Sequence, residues 1–336
     1  MRTFLSVCIL VLVLVTACSP SATPAPATPA PTAEAAAVEL TVISLGAGYI
    51  PSVQFAPYYV ARDKGFFAEE GLDVQLEYGF ENDFVALTGQ GKYQLALASG
   101  DQVILARAQG LPVVYVMKWY QRYPVGVMSL VETGIQTPKD LEGHKVGIAG
   151  MFGADLAGWN ALVYANQLDQ DRISLESIGF TKAEALSQGT VDASVCYINN
   201  EPVQLRQSGY DVNLLEVSDY VDMVSNGIIT NETVIRDNPE LIRRLVRAFL
   251  RGIEYSLDNP DEAFDIARQS VPEITDENAA VHRAVLEASM GLWRSDHPGY
   301  SNPEAWQATL DMMLATGLVD ADLSADSLYS NDYLPE

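Results

Sequence analysis

The stretch QFAPYYVARDKGFFAEEGLDV, residues 54–74, passes from a helix into a strand through two glycines. Phe55 to Lys64 reads as a helix ending at Gly65. Phe66-Phe-Ala-Glu-Glu runs on to Gly71, and both glycines permit turns that a side chain would strain. Leu72 to Tyr78 alternates, the period of a half-buried strand. Upstream, Glu39 to Leu45 is rich in β-branched residues and reads as another strand, joined to the helix by the loop Gly46–Ser52. Strand, helix and strand in so short a span imply a right-handed crossover and parallel pairing.

The pattern continues outward. Asp83 is placed to cap a helix through Leu87, closed by Gly89 or Gly91. Leu95–Ala98 is a short apolar strand, Gln102–Gln109 a helix closed by Gly110, and Leu111–Met117 the next strand. It restarts with a strand over 145–148, a helix over 156–166, a strand over 177–180, a helix over 181–188 stopped by Gly189, and a strand over 193–198. From about Asn231 the chain reads as helical, with Asn238-Pro239, Asn259-Pro260 and Asn302-Pro303 as start signals. These units predict an α/β protein of two lobes, each a mostly parallel sheet flanked by helices, with a ligand cleft between them. Lobe 1 is expected over residues 39–128, lobe 2 over 129–225, and a return to lobe 1 with C-terminal helices over 226–336. After Asn238, apolar residues form one helix face and Arg243, Arg244, Arg247 and Arg251 the other. That stripe reads as a solvated face, or else as a contact for lipid head groups or a partner.

The N-terminal end indicates where the protein works. Arg2, the apolar run Phe4–Val15 and the small residues Thr16 and Ala17 have the layout of a secretory signal peptide over residues 1–17. The run is shorter than the roughly 20 apolar residues of a membrane span. Val15-Thr16-Ala17-Cys18 resembles the bacterial lipobox, in which the cysteine becomes the lipidated first residue; an ordinary cleavage nearby would leave Cys18 incidental. Residues 18–38 then form the expected anchor and linker. Ser19–Ala37 is Pro, Ala, Ser and Thr with one charge, Glu34, and has too little to bury to fold. Of three cysteines, Cys8 and Cys18 lie in these segments. Cys196 is left without a disulfide partner, so a large core must stabilise the body, expected as a monomer. The net charge of −24 disfavours nucleic acid, whose phosphates need a basic surface.

Enzyme signatures are missing. His144, His282 and His297 have no metal-ligand spacing, and no HExxH, paired CxxC or GxSxG occurs. No metal and no cofactor are expected. Gly147-Ile-Ala-Gly150-Met-Phe-Gly153 is GxxGxxG, so its amides either meet an oxygen-rich ligand or make a tight strand-to-helix turn. The stronger signal is the set of rings and polar groups after strand carboxyl ends, where open α/β sheets bind ligands. Tyr49, Gln54, Phe55 and Tyr58 follow the first strand, and Ser99 and Asp101 the third. Trp119, Tyr120, Arg122 and Tyr123 follow the fourth. Phe152, Asp155 and Trp159 come from the second half, then Tyr197, Asn199, Asn200 and Glu201. Any single ring is readily explained as packing, but the converging set suggests a pocket for a flat ring system, with amides and carboxylates reading its edges. Tyr49, Phe55, Trp119, Tyr120 and Trp159 are the stacking candidates.

Residues 54–74, with Leu95-Ala-Leu-Ala-Ser-Gly-Asp101, Thr137-Pro-Lys-Asp-Leu-Glu-Gly143, Lys145-Val-Gly147 and Asn238-Pro-Glu240, resemble ABC-transporter substrate-binding proteins. The branch is the one that includes binders of thiamine pyrimidine precursors, sulfonates and nitrate. The resemblance implies two hinged lobes that close on a ligand and dock on a membrane permease. Gly48-Tyr-Ile-Pro-Ser-Val-Gln-Phe-Ala-Pro-Tyr58 is most similar to riboflavin-binding lipoproteins of this family. Pyrimidine-precursor binders usually carry Trp-x-Pro-Asn there, and this chain has Tyr49-Ile-Pro-Ser52. Riboflavin, flat and uncharged, suits rings, amides and carboxylates without a cationic clamp. Pyrimidine synthases of similar fold use a cysteine cluster and a histidine, which the lone Cys196 and scattered histidines do not match.

Overall fold

A computed structural model describes residues 40–335. The leader, Cys18 and the Pro/Ala/Thr tract lie outside them. The first sheet is built from β1 (Thr41–Ala47), α1 (Ala56–Asp63), α2 (Phe66–Glu69), β2 (Leu72–Tyr78), α3 (Glu81–Gly89), β3 (Leu95–Ser99), α4 (Gly100–Ala108) and β4 (Val113–Lys118). The second is built from β5 (Val125–Leu130), β6 (Lys145–Ile148), α5 (Gly153–Asn166), β7 (Ser174–Ser177), α6 (Lys182–Ser187), β8 (Ala193–Tyr197), α7 (Glu201–Gln207) and β9 (Val212–Glu216). The chain then returns through β10 (Asn226–Asn231) into α8 (Glu232–Asp237), α9 (Pro239–Asp258), α10 (Pro260–Ser270), α11 (Ala279–Trp293) and α12 (Pro303–Ala315).

The sheets have one design. Their orders are β2-β1-β3-β10-β4 and β7-β6-β8-β5-β9. In each, the strand carrying the chain across between lobes runs antiparallel to both neighbours, β10 in the first sheet and β5 in the second. The described pairings on the far side of it are parallel. The two-lobed α/β architecture expected from the sequence is the one found, but each sheet is mixed, with two parallel and two antiparallel pairings, rather than mostly parallel. The chain leaves the first sheet after Lys118 and pairs in the second from Val125. Ser129 therefore lies within β5, not at the crossing, and its hydroxyl donates to Ile135 O. The return strand starts at Asn226, beside Ser225. β10 was not legible as a strand because Gly227 interrupts its apolar run. A Cβ there would sit 2.1 Å from Met117 O and from Tyr115 Oη, so the close approach of backbone and ring requires glycine.

Other differences have local causes. The strand expected over 177–180 lies at Ser174–Ser177, because Ile178, Gly179 and Phe180 form the turn leading to α6. Asp83 does not cap α3, which already begins at Glu81. Helix α5 starts at Gly153, whose φ of +72° makes the turn after Phe152. The arginine stripe of α9 has partners in the chain itself. Arg247 pairs with Glu70 at 2.8 Å, Arg251 with Glu69 at 2.7 Å, and Arg244 donates to Glu70 O. The stripe thus pins the FFAEEG segment against α9.

One core cluster joins β1–β4 to α1, α9, α10 and α11 through Leu45, Tyr59, Phe249 and Trp293. A second spans both lobes, uniting Val103 and Tyr115 with Val125, Ile148 and Trp159, and with Trp306 of α12. This shared core makes the crossing segments a spine from which the outer parts of the lobes face each other.

Candidate functional site

Between the lobes lies a cavity whose empty space, open mouth included, is about 910 Å³. Its walls are strand ends. Tyr49 follows β1, Phe80, Glu81 and Asn82 follow β2, and Trp119 and Tyr120 follow β4. Phe152 and Asp155 follow β6, Phe180 and Lys182 follow β7, and Tyr197, Asn200 and Glu201 close β8 and open α7. Asn226, the first residue of antiparallel β10, reaches the same end of its sheet.

Of the residues expected at the site, Tyr49, Gln54, Phe55, Trp119, Tyr120, Phe152, Asp155, Tyr197, Asn200 and Glu201 line this cavity. The others do not. Tyr58 donates from its hydroxyl to Val74 O, 2.7 Å away in the core. Trp159 is only 2% exposed, within the core shared by the lobes. Arg122 pairs with Glu216 at 3.1 Å. Ser99, Asp101 and Tyr123 are buried behind Glu81 and the N-terminus of α5. Asn199 is an inter-lobe tie, its amide donating to Gln54 Oε1 at 2.9 Å and Ser289 Oγ at 2.8 Å. Asn199→Ala should leave those acceptors unsatisfied and lower the unfolding free energy by about 1–3 kcal/mol, as read from urea denaturation.

Burial divides the rings into a floor and a rim. Phe55, Trp119 and Tyr120 are nearly inaccessible, and Trp119 also packs on Phe249 and Trp293. At the mouth, Phe80 of lobe 1 is 47% exposed, and Phe152 and Phe180 of lobe 2 are 45% and 40% exposed. Phe80 stacks on Phe180 across the cleft, centroids 5.8 Å apart at 24°, and meets Phe152 edge-on at 5.5 Å. Tyr49 meets Phe180 at 5.3 Å, and Asn200 Nδ2 donates to Tyr49 Oη at 3.0 Å. Sequence reasoning missed Phe80, Glu81 and Asn82, although they directly follow the strand at 72–78. It missed Phe180 by assigning it to a strand, and Asn226 because β10 was not read.

Lys182 is the one basic side chain lining the cavity among the described residues, and it is 3% exposed. Its ammonium lies 3.2 Å from Asp155 and 2.9 Å from Glu201. Burial alone would lower its pKa, but the two carboxylates more than offset this and hold it above the usual lysine range. Burial, then the charge of Glu201, pushes Tyr49 up to about 12. Glu81 is pushed up to about 7 by burial and by Asp101. Three polar atoms of the lining have no partner among the described residues: the Trp119 indole N–H and the amide oxygens of Asn82 and Asn226. Lysine is thus matched by two carboxylates, with Glu81 in addition. The cavity therefore offers an anionic ligand no free cation among the described lining residues, and it presents both donor and acceptor atoms.

The chain has the periplasmic-binding-protein fold. The alkanesulfonate-binding protein SsuA from Xanthomonas axonopodis pv. citri matches it with a TM-score of 0.69 at 12% identity, over 87% of this chain and 99% of that one. Residues 52–263 match the NMT1/THI5-like family model, and the chain belongs to that family. It is 38% identical over 337 residues, 97% of this chain and 96% of the relative, to the riboflavin-binding protein RibY of Chloroflexus aurantiacus. It is 29% identical, over 87% of this chain and 90% of the relative, to the formylaminopyrimidine-binding protein of Halalkalibacterium halodurans.

Proposed function

We propose that the chain is the extracytoplasmic substrate-binding component of an ABC importer, capturing riboflavin between its lobes and delivering it to a membrane permease. The observation that carries this is the cavity itself: rings on floor and rim, unpaired donor and acceptor atoms, and no cation free to clamp an anion. An isoalloxazine ring offers two faces to stack and an edge alternating N–H with carbonyl oxygens, and its ribityl chain is a row of hydroxyls. The likeness to RibY supports this ligand over the formylaminopyrimidine type. In this reading riboflavin is cargo, and the protein carries no cofactor. Cys18 is proposed as the lipid anchor, with the Pro/Ala/Thr tract as tether and the body working as a monomer. A binding role rather than pyrimidine synthesis is supported by Cys196, which is fully buried, its thiol pKa pushed up by that burial. Such a thiol is a poor nucleophile.

Titrating the unfolded and refolded chain with riboflavin tests this, with a formylated aminopyrimidine in parallel. Saturable one-to-one quenching of flavin fluorescence is the expected result. Binding of the pyrimidine alone would keep the mechanism and replace the ligand. Binding of neither would overturn the ligand assignment.

A further inference from the structure

Most polar side chains of the cavity wall already have partners, and the buried exceptions lie in one lobe. In lobe 2, Lys182 is held by Asp155 and Glu201. Glu201 also accepts from Tyr197 N at 2.9 Å. Asn200 donates to Tyr49 Oη at 3.0 Å and accepts from Gln204 Nε2 at 2.7 Å. In lobe 1, Gln54 accepts from Asn199 and donates to Ser52 Oγ at 3.2 Å. The buried lining atoms left over are the Trp119 indole N–H, Asn226 Oδ1 and Asn82 Oδ1, none with a partner among the described residues. They come from the ends of β4 and β10 and from α3, all in the lobe of the first sheet. An unpaired buried donor or acceptor carries its desolvation cost in full, so each calls for an explanation.

Trp119 and Asn226 are built as one unit. The carbonyl of Asn226 accepts from Trp119 N at 2.9 Å and from Tyr120 N at 3.0 Å. The indole packs on Phe249 and Trp293, with ring centroids 5.4 and 5.9 Å away, and is 3% exposed, so it has little room to turn. Asn226 opens β10, and the next residue, Gly227, is fixed by its close approach to Met117 O and Tyr115 Oη. The Asn226 amide nitrogen faces Tyr197 Oη of lobe 2, 3.4 Å away, which leaves its amide oxygen without a partner. A donor and an acceptor, both uncharged, thus stand on one rigid stretch of the floor. Asn82 shares no hydrogen bond with this unit among the described residues; its amide donates to exposed Asp83 at 3.2 Å.

We infer that Trp119 and Asn226 are the specificity pair of the cleft and that they read a lactam-type edge, a ring carbonyl beside a ring N–H. The carbonyl accepts from Trp119 Nε1, and the N–H donates to Asn226 Oδ1. An ionised phosphate or sulfonate offers acceptors only and would leave the Asn226 oxygen unpaired, and a hydrocarbon ring would leave both atoms unpaired. Naming the ring rests on the riboflavin reading: in riboflavin this edge is the pyrimidinedione end of the isoalloxazine, away from the dimethylbenzene end. A site built on such bonds rejects an analogue that lacks one of the groups, because its own buried partner is then stranded.

Wild type alone gives the first test. Riboflavin methylated at the ring nitrogen between the two carbonyls keeps the ring, both carbonyls and the ribityl chain, but has no N–H on that edge. It should bind roughly 10- to 100-fold more weakly than riboflavin in fluorescence titrations, and equal affinities would overturn the pair. Asn226→Leu, close to asparagine in shape but without an acceptor, separates hydrogen bonding from the bulk of the methyl group. It should weaken riboflavin by about tenfold or more and bring the two flavins to similar affinity, whereas Asn226→Asp, which keeps an acceptor, should still discriminate. Discrimination unchanged in Asn226→Leu would mean exclusion by bulk and overturn the hydrogen bond. Trp119→Phe keeps a ring and removes the N–H, so it should weaken both flavins by a similar factor. If wild type binds the formylated aminopyrimidine and not riboflavin, the riboflavin reading falls. The pair then stands if Trp119→Phe and Asn226→Leu each weaken the pyrimidine by about tenfold, since its ring nitrogen and amino group also set an acceptor beside a donor, and falls if they do not. Binding of neither would overturn both.

Discussion

Lys182→Met should lower the unfolding free energy by about 3–5 kcal/mol, the usual cost of removing one partner from a buried ion pair. The ammonium is 3% exposed and sits between Asp155 and Glu201 at 3.2 and 2.9 Å. Methionine nearly matches the alkyl stem, so packing changes little. What changes is that two carboxylates, both more than 90% buried, are left facing each other without a cation. They must either protonate or draw water into the wall of the cleft, and either outcome lowers stability at neutral pH. For a body of about 300 residues the thermal midpoint should drop by roughly 5–8 °C. Neutralising all three groups, as in Lys182→Met/Asp155→Asn/Glu201→Gln, should recover most of the loss, because an uncharged substitute for a buried ion cluster is often near neutral. Urea denaturation of the single and triple variants decides the point. A single-variant loss below about 1 kcal/mol would mean the carboxylates are already hydrated through the cleft.

The sequence carried the parallel half of each sheet openly. β2 and β6 fall at their expected residues, because alternation and flanking glycines mark them, and the Asn-Pro pairs start α9, α10 and α12 where they stand. The strands that escaped were β5, β9 and β10. Two of these, β5 and β10, carry the chain between lobes, and among the described residues β9 pairs only with β5. Their identity depends on pairing with strands distant in sequence, which no local period reports. The site shows the same division. The rule that ligands gather at strand carboxyl ends found ten cavity residues. It also drew in Trp159, Tyr58 and Tyr123, because a ring near a strand end packs inward as easily as it faces a cleft. The Lys182–Asp155–Glu201 cluster could not be read. Asp155 and Glu201 were visible candidates, but nothing in the sequence of the 181–188 helix marks Lys182 as a site residue, and only folding encloses it. Phe80 was passed over because its exposure acquires meaning only when Phe180 of the other lobe meets it.

That meeting gives the second large effect. If riboflavin is the ligand as proposed, Phe80→Ala/Phe180→Ala should weaken its binding by about 30-fold or more, counting at least about 1 kcal/mol for each aromatic ring that stacks on a ligand and tenfold per 1.4 kcal/mol. Folding should be almost untouched, since both rings lie at the surface of the cleft mouth, 47% and 40% exposed, and surface truncations usually change stability by under about 0.5 kcal/mol. The effect should fall mainly on dissociation. The two rings belong to different lobes and touch only when those lobes are together, so they add energy to the closed form and little to first encounter. Stopped-flow fluorescence should accordingly show a faster off-rate with a nearly unchanged on-rate. Phe152→Ala separates lid from floor: its ring touches Phe80 edge-on and not Phe180, so it should give a smaller change in the same direction. A double variant that binds as tightly as wild type would show that the floor formed by Phe55, Trp119 and Tyr120 holds the ligand unaided, with the rim contributing nothing to closure.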